Sequence, residues 1–396
     1  MKKKDNQITT GINKNVFFLG LASLFNDISS QMIFPLLPLF LANVLGVNKQ
    51  VIGLIEGIAE STASLLKVFS GWLSDKIKQR KSMVFCGYLI STLGKLVFPF
   101  SHLWSQVLFA RFSERVGKGI RTSPRDAIIA DSVEQNNRGK AFGFQRMMDR
   151  VGGITGTALA FFLLNLFHND FRKVFLIAVL PGTLAVLTIL FFVTEKKKTD
   201  NKNKKANLSF NFKIVSKEFK IFIAIATLFS LGNFSYFFLI LRSQDLGIPP
   251  LIIPLVYLIF NILYALFSVP LGILSDRWGR RRVLSLGYTI FGVVCIGFIL
   301  ANKAIYAWIL FAIYGIFEAI FDAVSRALAS DLATLETRAT SLGIYHTCIG
   351  LAAFPASLIA GRLWHLWGSK ATFSYGATLA IISAMLMLIL LKNKKD

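Results

Sequence analysis

Acidic side chains are scarce in this chain. It carries 21 Asp and Glu against 44 Lys and Arg over 396 residues, a formal net charge of +23. Sulfur and imidazole are scarcer still, with three Cys and four His. Cys86, Cys295 and Cys348 fall in separate apolar stretches, without metal-ligand spacing or a disulfide framework, so they read as small packing residues and no metal or cofactor is expected. There is no nucleophile elbow and no phosphate-cradling glycine loop, so no enzyme signature stands out. The absence of a large soluble domain argues against a signalling receptor. What is abundant is apolar: 54% of residues are hydrophobic and 37 are Phe.

A helix that crosses a bilayer needs roughly 20 mostly apolar residues. Twelve such runs are present, at about 15–43, 51–73, 82–100, 104–124, 140–166, 172–193, 218–241, 251–274, 283–301, 305–329, 340–366 and 370–391. The first follows Lys14 and resembles a signal peptide. It is too long, carries Asn26-Asp27 and lacks a small-residue cleavage site, so it is read as an uncleaved first span. In a soluble protein +23 would suggest nucleic acid. Here the cations gather at residues 1–14, at Lys76, Lys78, Arg80 and Lys81, in the segment 194–220, and at Lys392, Lys394 and Lys395. The positive-inside rule then places both termini and the middle loop in the cytoplasm, with some attraction to anionic lipid and no nucleic-acid partner.

Two turns repeat. Gly71-Trp72-Leu73-Ser74-Asp75-Lys76-Ile77-Lys78-Gln79-Arg80-Lys81 is echoed by Gly272-Ile273-Leu274-Ser275-Asp276-Arg277-Trp278-Gly279-Arg280-Arg281-Arg282, and Asp75 and Asp276 lie 201 positions apart. Ala130-Asp131, Arg138-Gly139 and Gly143 are echoed at an offset of 200 by Ser330-Asp331, Arg338-Ala339 and Gly343. Duplication at half length indicates two matched sets of six spans. In each turn a glycine admits close helix packing, the acid can cap a helix N-terminus or pair with Arg, and the cations hold the turn in the cytoplasm. This reading gives residues 1–193 to the first bundle, 194–217 to a polar linker, and 218–396 to the second. A short surface helix is expected around Phe210 to Phe219.

Ionisable groups within spans are costly and face interiors or cavities. Asp27 lies two to three turns into the first span, beside Asn26, with Pro35 and Pro38 expected to bend the outer part. Glu56, Glu60, Ser64 and Lys67 form one stripe of the second span, which lines a cavity or packs on the eleventh span or another polar helix. Lys67 and Lys95 are expected to snorkel toward the membrane surfaces. The fourth span is the most charged, with Arg111, Glu114, Arg115, Lys118, Arg121, Arg125, Asp126 and Asp131. Arg111 and Arg115 should be deepest, and a positive pocket there would attract an anion or hold Asp27 ionised. Arg146, Asp149 and Arg150 read as a structural clasp, next to a packing seam at Gly152, Gly153 and Gly156. The second half offers Asn233, Asn261, Tyr264, Glu318, Asp322, Arg326 and His346.

The stretch Gly272 to Arg281 resembles the loop motif of the major facilitator superfamily. The 71–80 copy is similar but has Lys78 and Gln79 where that motif has Gly and a cation. Asp131 with Arg138-Gly139 resembles the companion element between spans 4 and 5. The resemblance implies an all-α membrane protein of 12 transmembrane helices in two six-helix bundles that rock to alternate access. It also implies a conformational latch from Gly71, Asp75, Arg80, Asp131 and Arg138, and from Gly272, Asp276, Arg280, Asp331 and Arg338. The drug-antiporter motif of the fifth span (Gly, three residues, Gly-Pro) is half present at Gly152 and Gly156, without the Pro.

The expectation is a monomeric secondary transporter of the inner membrane, not an enzyme, coupled to protons and moving a small hydrophilic, anionic solute such as an organic acid or a carboxylate-type metal chelate. Arg111, Arg115, Lys118, Asn26, Asn233 and Asn261 would bind it. Asp27, Glu56, Glu60, Glu318, Asp322 and His346 would handle the proton. The alternative is a drug/proton antiporter for amphipathic or cationic compounds, with acids as attractors and Phe as apolar walls, although Phe facing lipid is the commoner arrangement.

Overall fold

The structure, a computed structural model, describes residues 7–9, 12–77, 79–134, 137–195, 215–333 and 338–391, without the side chains of 7–9, Asp75, Arg338 and Ala339. The basic stretch 196–205, residues 210–214 of the surface helix expected around Phe210 to Phe219, Lys2, Lys3, Lys4, Lys78, Lys392, Lys394 and Lys395 lie outside the described residues, as do the side chains of the latch residues Asp75 and Arg338.

Twelve rods account for nearly all of the described chain. They are α1 (Lys14–Ile33), α2 (Lys49–Ile77), α3 (Arg80–Val97), α4 (Trp104–Ser132), α5 (Arg138–Leu166), α6 (Phe171–Phe192), α7 (Lys217–Gly232, resuming at Phe237–Asp245), α8 (Ile253–Trp278), α9 (Arg280–Leu300), α10 (Ala304–Asp331), α11 (Arg338–Trp367) and α12 (Ser369–Leu390). Local chemistry sets several starts. The Asn13 side chain accepts from the Val16 amide, Asp170 from those of Arg172 and Lys173, and Ser216 from that of Phe219. Gly279 separates α8 from α9 at a φ of 92°, a conformation in which a side chain is strained.

Among the described residues, ten helices are long and apolar enough to cross a membrane. The two rods outside that set are α2, with Glu56, Glu60 and Lys67, and α4, the most charged span. Their charges need cover from neighbouring helices.

Two rods are interrupted at equivalent places. After α1 the chain turns at Phe34–Leu36 around Pro35, makes one helical turn at Leu37–Leu39, and passes into a π-helical turn at Phe40–Val44. This is the bend expected from Pro35 and Pro38. The gap in α7, between Gly232 and Phe237, lies 200 residues on and contains no Pro.

The chain forms two compact units, one of residues 1–34 and 62–208, the other of 35–61 and 209–396. In the first, α1 packs on α5 and α6, and α3 packs on α4 and α6. In the second the same pairs recur six helices later: α7 on α11 and α12, and α9 on α10 and α12. The duplication inferred from the turns is thus also a duplication of packing. Small residues permit it. A Cβ on Gly152 would lie 2.6 Å from the Leu24 carbonyl oxygen, and one on Gly156 2.5 Å from that of Ile28, so the expected α5 seam closes on α1. Gly117 of α4 abuts the Gly87 carbonyl of α3 in the same way.

In the second unit, residues 49–61 of α2 pack on α11. A Cβ on Gly57 would lie 2.8 Å from the Phe354 carbonyl oxygen, and Ser61 donates to the Gly350 carbonyl at 2.7 Å. Phe residues pack inside more often than they face outward. Phe229, Phe234, Phe291, Phe298 and Phe317 are fully or nearly fully buried, whereas Phe109, Phe162 and Phe191 are exposed. This corrects the expectation that Phe mainly faces lipid.

Candidate functional site

The first unit holds a buried charged cluster. Lys95 of α3 is 0% exposed. Its Nζ donates to Ser29 Oγ at 3.1 Å, to Asn26 Oδ1 at 3.2 Å and to the Asn26 carbonyl at 3.3 Å. The expected snorkel is therefore wrong for Lys95: polar acceptors on α1 satisfy the ammonium inside the bundle, so it need not reach the surface. Asn26 in turn donates to Asp27 Oδ1 at 3.1 Å.

On α4, Arg111 (0% exposed) bonds Glu114 at 3.1 Å, and Arg115 (4%) lies 3.5 Å from the same carboxylate. Both guanidiniums also cover the Phe34 ring, at 4.1 and 5.4 Å from its centre. Arg111 and Arg115, predicted to bind solute directly, are thus buried with Glu114 as partner. Lys118 is exposed, and Arg121 stacks on Tyr88 at 4.6 Å. Asp27 shares its electrostatic neighbourhood with Asp149 of α5 and with Lys118 and Arg121 of α4. Asp149, read from sequence as part of a clasp, belongs to this cluster.

The second unit holds a cluster of opposite sign. Glu56 is 0% exposed and accepts from Ser235 in the α7 gap at 3.2 Å. Tyr264 donates to Asp322 Oδ2 at 3.0 Å, and Arg326 pairs with that oxygen at 2.8 Å. Glu60 and Glu318 lie in the electrostatic neighbourhood of Tyr314, and Glu318, Asp322 and Arg326 in that of Tyr345. Rings bridge these groups. Tyr236 lies 5.1 Å from Tyr257, Tyr257 5.0 Å from Phe260, and Phe260 5.3 Å from Tyr314. His346 meets Tyr345 edge-on at 5.2 Å. Asn261 is 8% exposed and Asn233 ends the first segment of α7. Four carboxylates and one guanidinium therefore stand among aromatic rings, on helices flanking an interrupted one. Sequence spacing gave Glu318, Asp322 and Arg326 one face, but it carried no sign of the ring series from α7 to α10.

The repeated turns form matching ion pairs. Arg80 binds Asp131 in the first unit, and Arg280 binds Asp331 at 2.6 Å and Asp276 at 3.3 Å in the second. Arg138 donates to the Ala130 carbonyl at 3.3 Å. In the first unit Glu195 adds a cap, accepting from the amides of Arg80 at 2.8 Å and Lys81 at 3.0 Å, where a carboxylate suits the start of α3. Nothing packs within 4 Å of where a Cβ on Gly272 would lie, whereas one on Gly71 would meet Ser123 Cβ at 3.3 Å.

Twelve helices, duplicated packing and buried polar clusters define a multi-pass membrane transporter. The chain belongs to the major facilitator superfamily, whose family model matches residues 19–242 and again 221–396. An uncharacterised transporter of this type from Methanocaldococcus jannaschii is 42% identical over 396 residues, 98% of each chain. The quinolone resistance protein NorA of Staphylococcus aureus is 23% identical over 362 residues, 89% of this chain and 90% of NorA. Among solved structures, the nucleoside transporter NupG superposes with a TM-score of 0.79 at 13% identity, covering 97% of this chain and all of that one. A peptide transporter, POT, in complex with sulfate gives 0.77 at 13%, covering 98% and 95%. These two likenesses concern the fold.

Proposed function

We propose that this protein exports amphipathic organic cations across the cytoplasmic membrane in exchange for protons, with both termini inside. The observation that supports it is the second unit's cluster, in which Glu56, Glu60, Glu318 and Asp322 stand among Tyr236, Tyr257, Tyr264 and Tyr314 with Arg326 as counter-charge. Aromatic faces and carboxylates together suit a cation that also carries apolar surface. The same carboxylates can take the proton when the cation leaves, which couples the two. The relation to NorA, a quinolone resistance protein, points the same way. In the first unit, Arg111 and Arg115 would hold Glu114 and the α1 break in place, and Asp27 would handle protons. The paired turns would latch the cytoplasmic side.

One observation favours a second reading. Lys118 is exposed within a cluster in which Lys95, Arg111, Arg115, Lys118 and Arg121 outnumber Asp27, Glu114 and Asp149. An organic anion could be held there. Reconstituted protein under an imposed pH gradient decides between them. The proposal expects gradient-driven movement of ethidium that Asp322→Asn abolishes. Movement of an organic anion such as succinate, with ethidium static, would replace it with the second reading.

A further inference from the structure

The α1–α5 crossing carries a carboxylate that this proton exchange does not yet use. A Cβ on Gly152 would lie 3.1 Å from Asp27 Cβ, so α5 backbone meets α1 at Asp27 itself. Asp149 lies three residues before Gly152, one turn along the same face of α5. Gln145, four residues before Asp149, donates from Nε2 to Asp149 Oδ1 at 2.9 Å. Gln145 is 2% exposed, and its other amide atom, Oε1, is buried without a hydrogen-bond partner. An amide in this position can form two bonds with a carboxylic acid, giving Nε2–H to one oxygen and accepting O–H from the other at Oε1. With a carboxylate it forms only the first.

From this geometry we infer that Asp149 is a second proton-carrying group, which shares one proton with Asp27 and is received in its acid form by Gln145. The inference rests on the proton-coupled reading and deepens it. Two carboxylates at one crossing oppose joint ionisation, so a proton that leaves one is favoured on the other. The charged groups around the pair are Lys118, Arg121, Arg125 and Asp126 of α4, Lys95 of α3, and Arg146 and Arg150 on α5 itself. In the transfer, the Asp149 O–H bond breaks and an O–H bond forms on the Asp27 carboxylate, directly or through water, so Asp149 becomes the carboxylate, Asp27 the acid, and Gln145 Oε1 loses its donor.

The test needs no solute. Infrared difference spectra of the purified, lipid-reconstituted protein, recorded between acid and alkaline buffer, report each carboxylic acid by its C=O band. The wild type should show a band that Asp149→Asn removes, that Asp149→Glu restores at a shifted position, and that Gln145→Leu displaces through loss of the amide acceptor. Asp27→Asn should alter the same band, because the two share the proton. Spectra of Asp149→Asn identical to wild type would overturn the inference, as would an Asp27→Asn spectrum that leaves the Asp149 band in place. Because ethidium transport is measured separately, a static ethidium signal with the expected spectra would sink the export reading and leave Asp149 as a proton carrier.

Discussion

Replacing Lys95 by Met keeps the length of the side chain and deletes its charge. The ammonium makes three hydrogen bonds to α1, at 3.1, 3.2 and 3.3 Å. Side-chain hydrogen bonds between membrane helices average about 0.6 kcal/mol and reach about 1.7, so three of them contribute about 2–5 kcal/mol. Ser29 keeps its bond to the Ala178 carbonyl at 2.6 Å, which softens the loss, whereas the Asn26 side-chain oxygen is left buried without this donor. At roughly 2–4 °C per kcal/mol for a unit of this size, Lys95→Met should lower the unfolding temperature of the purified protein by about 4 °C or more. Leu93→Met, at a site that is 54% exposed, is the control and should change little. A Lys95 that reached the membrane surface would tolerate the change within about 0.5 kcal/mol. Equal unfolding temperatures for the two variants would therefore refute the buried cluster.

Two further outcomes follow from the packing. Gly117→Ala drives a methyl into the Gly87 carbonyl and should cost about 1–3 kcal/mol, while Gly139→Ala, with nothing within 4 Å, should be near neutral; thermal unfolding compares them. Reversing Arg280–Asp331 as Arg280→Asp with Asp331→Arg should restore much of the transport rate lost by either change alone, with stability altered by only about 1 kcal/mol because the pair is partly exposed. Single variants that transport at the wild-type rate would show that this pair does not govern the conformational cycle.

The helices were legible because a bilayer demands long apolar runs, and the duplication because Asp131 and Asp331 recur at a fixed offset. Ends were less so. The fourth apolar run ends near residue 124, but α4 continues to Ser132, since Arg125 bonds Ser23 at 2.8 Å and pairs with Asp126 at 3.0 Å, so its charge is met without leaving the helix. The bend after α1 was announced by Pro35 and Pro38. The gap in α7 was not, because it contains no Pro; there Ser235 donates to Glu56 at 3.2 Å.

Charges were the hardest to read. Position along a span suggests depth but not azimuth or partner. Lys95, near the end of α3, has the sequence position of a surface anchor, and only its acceptors on α1 distinguish it from one. Arg111 and Arg115 are predicted from their depth alone, and their pairing with Glu114 between them is a relation that depth does not give. The aromatic series of the second unit joins residues from three helices, a relation that spacing within one helix does not encode.

Proton-driven export of a cation requires carboxylates that give up a proton when the cation binds. Adding tetraphenylphosphonium to purified protein in weak buffer, with a pH indicator present, measures this directly. Exchange at these carboxylates should give prompt proton release that saturates with the cation and disappears in Asp322→Asn. Cation binding with no proton released, or with protons taken up, would contradict it.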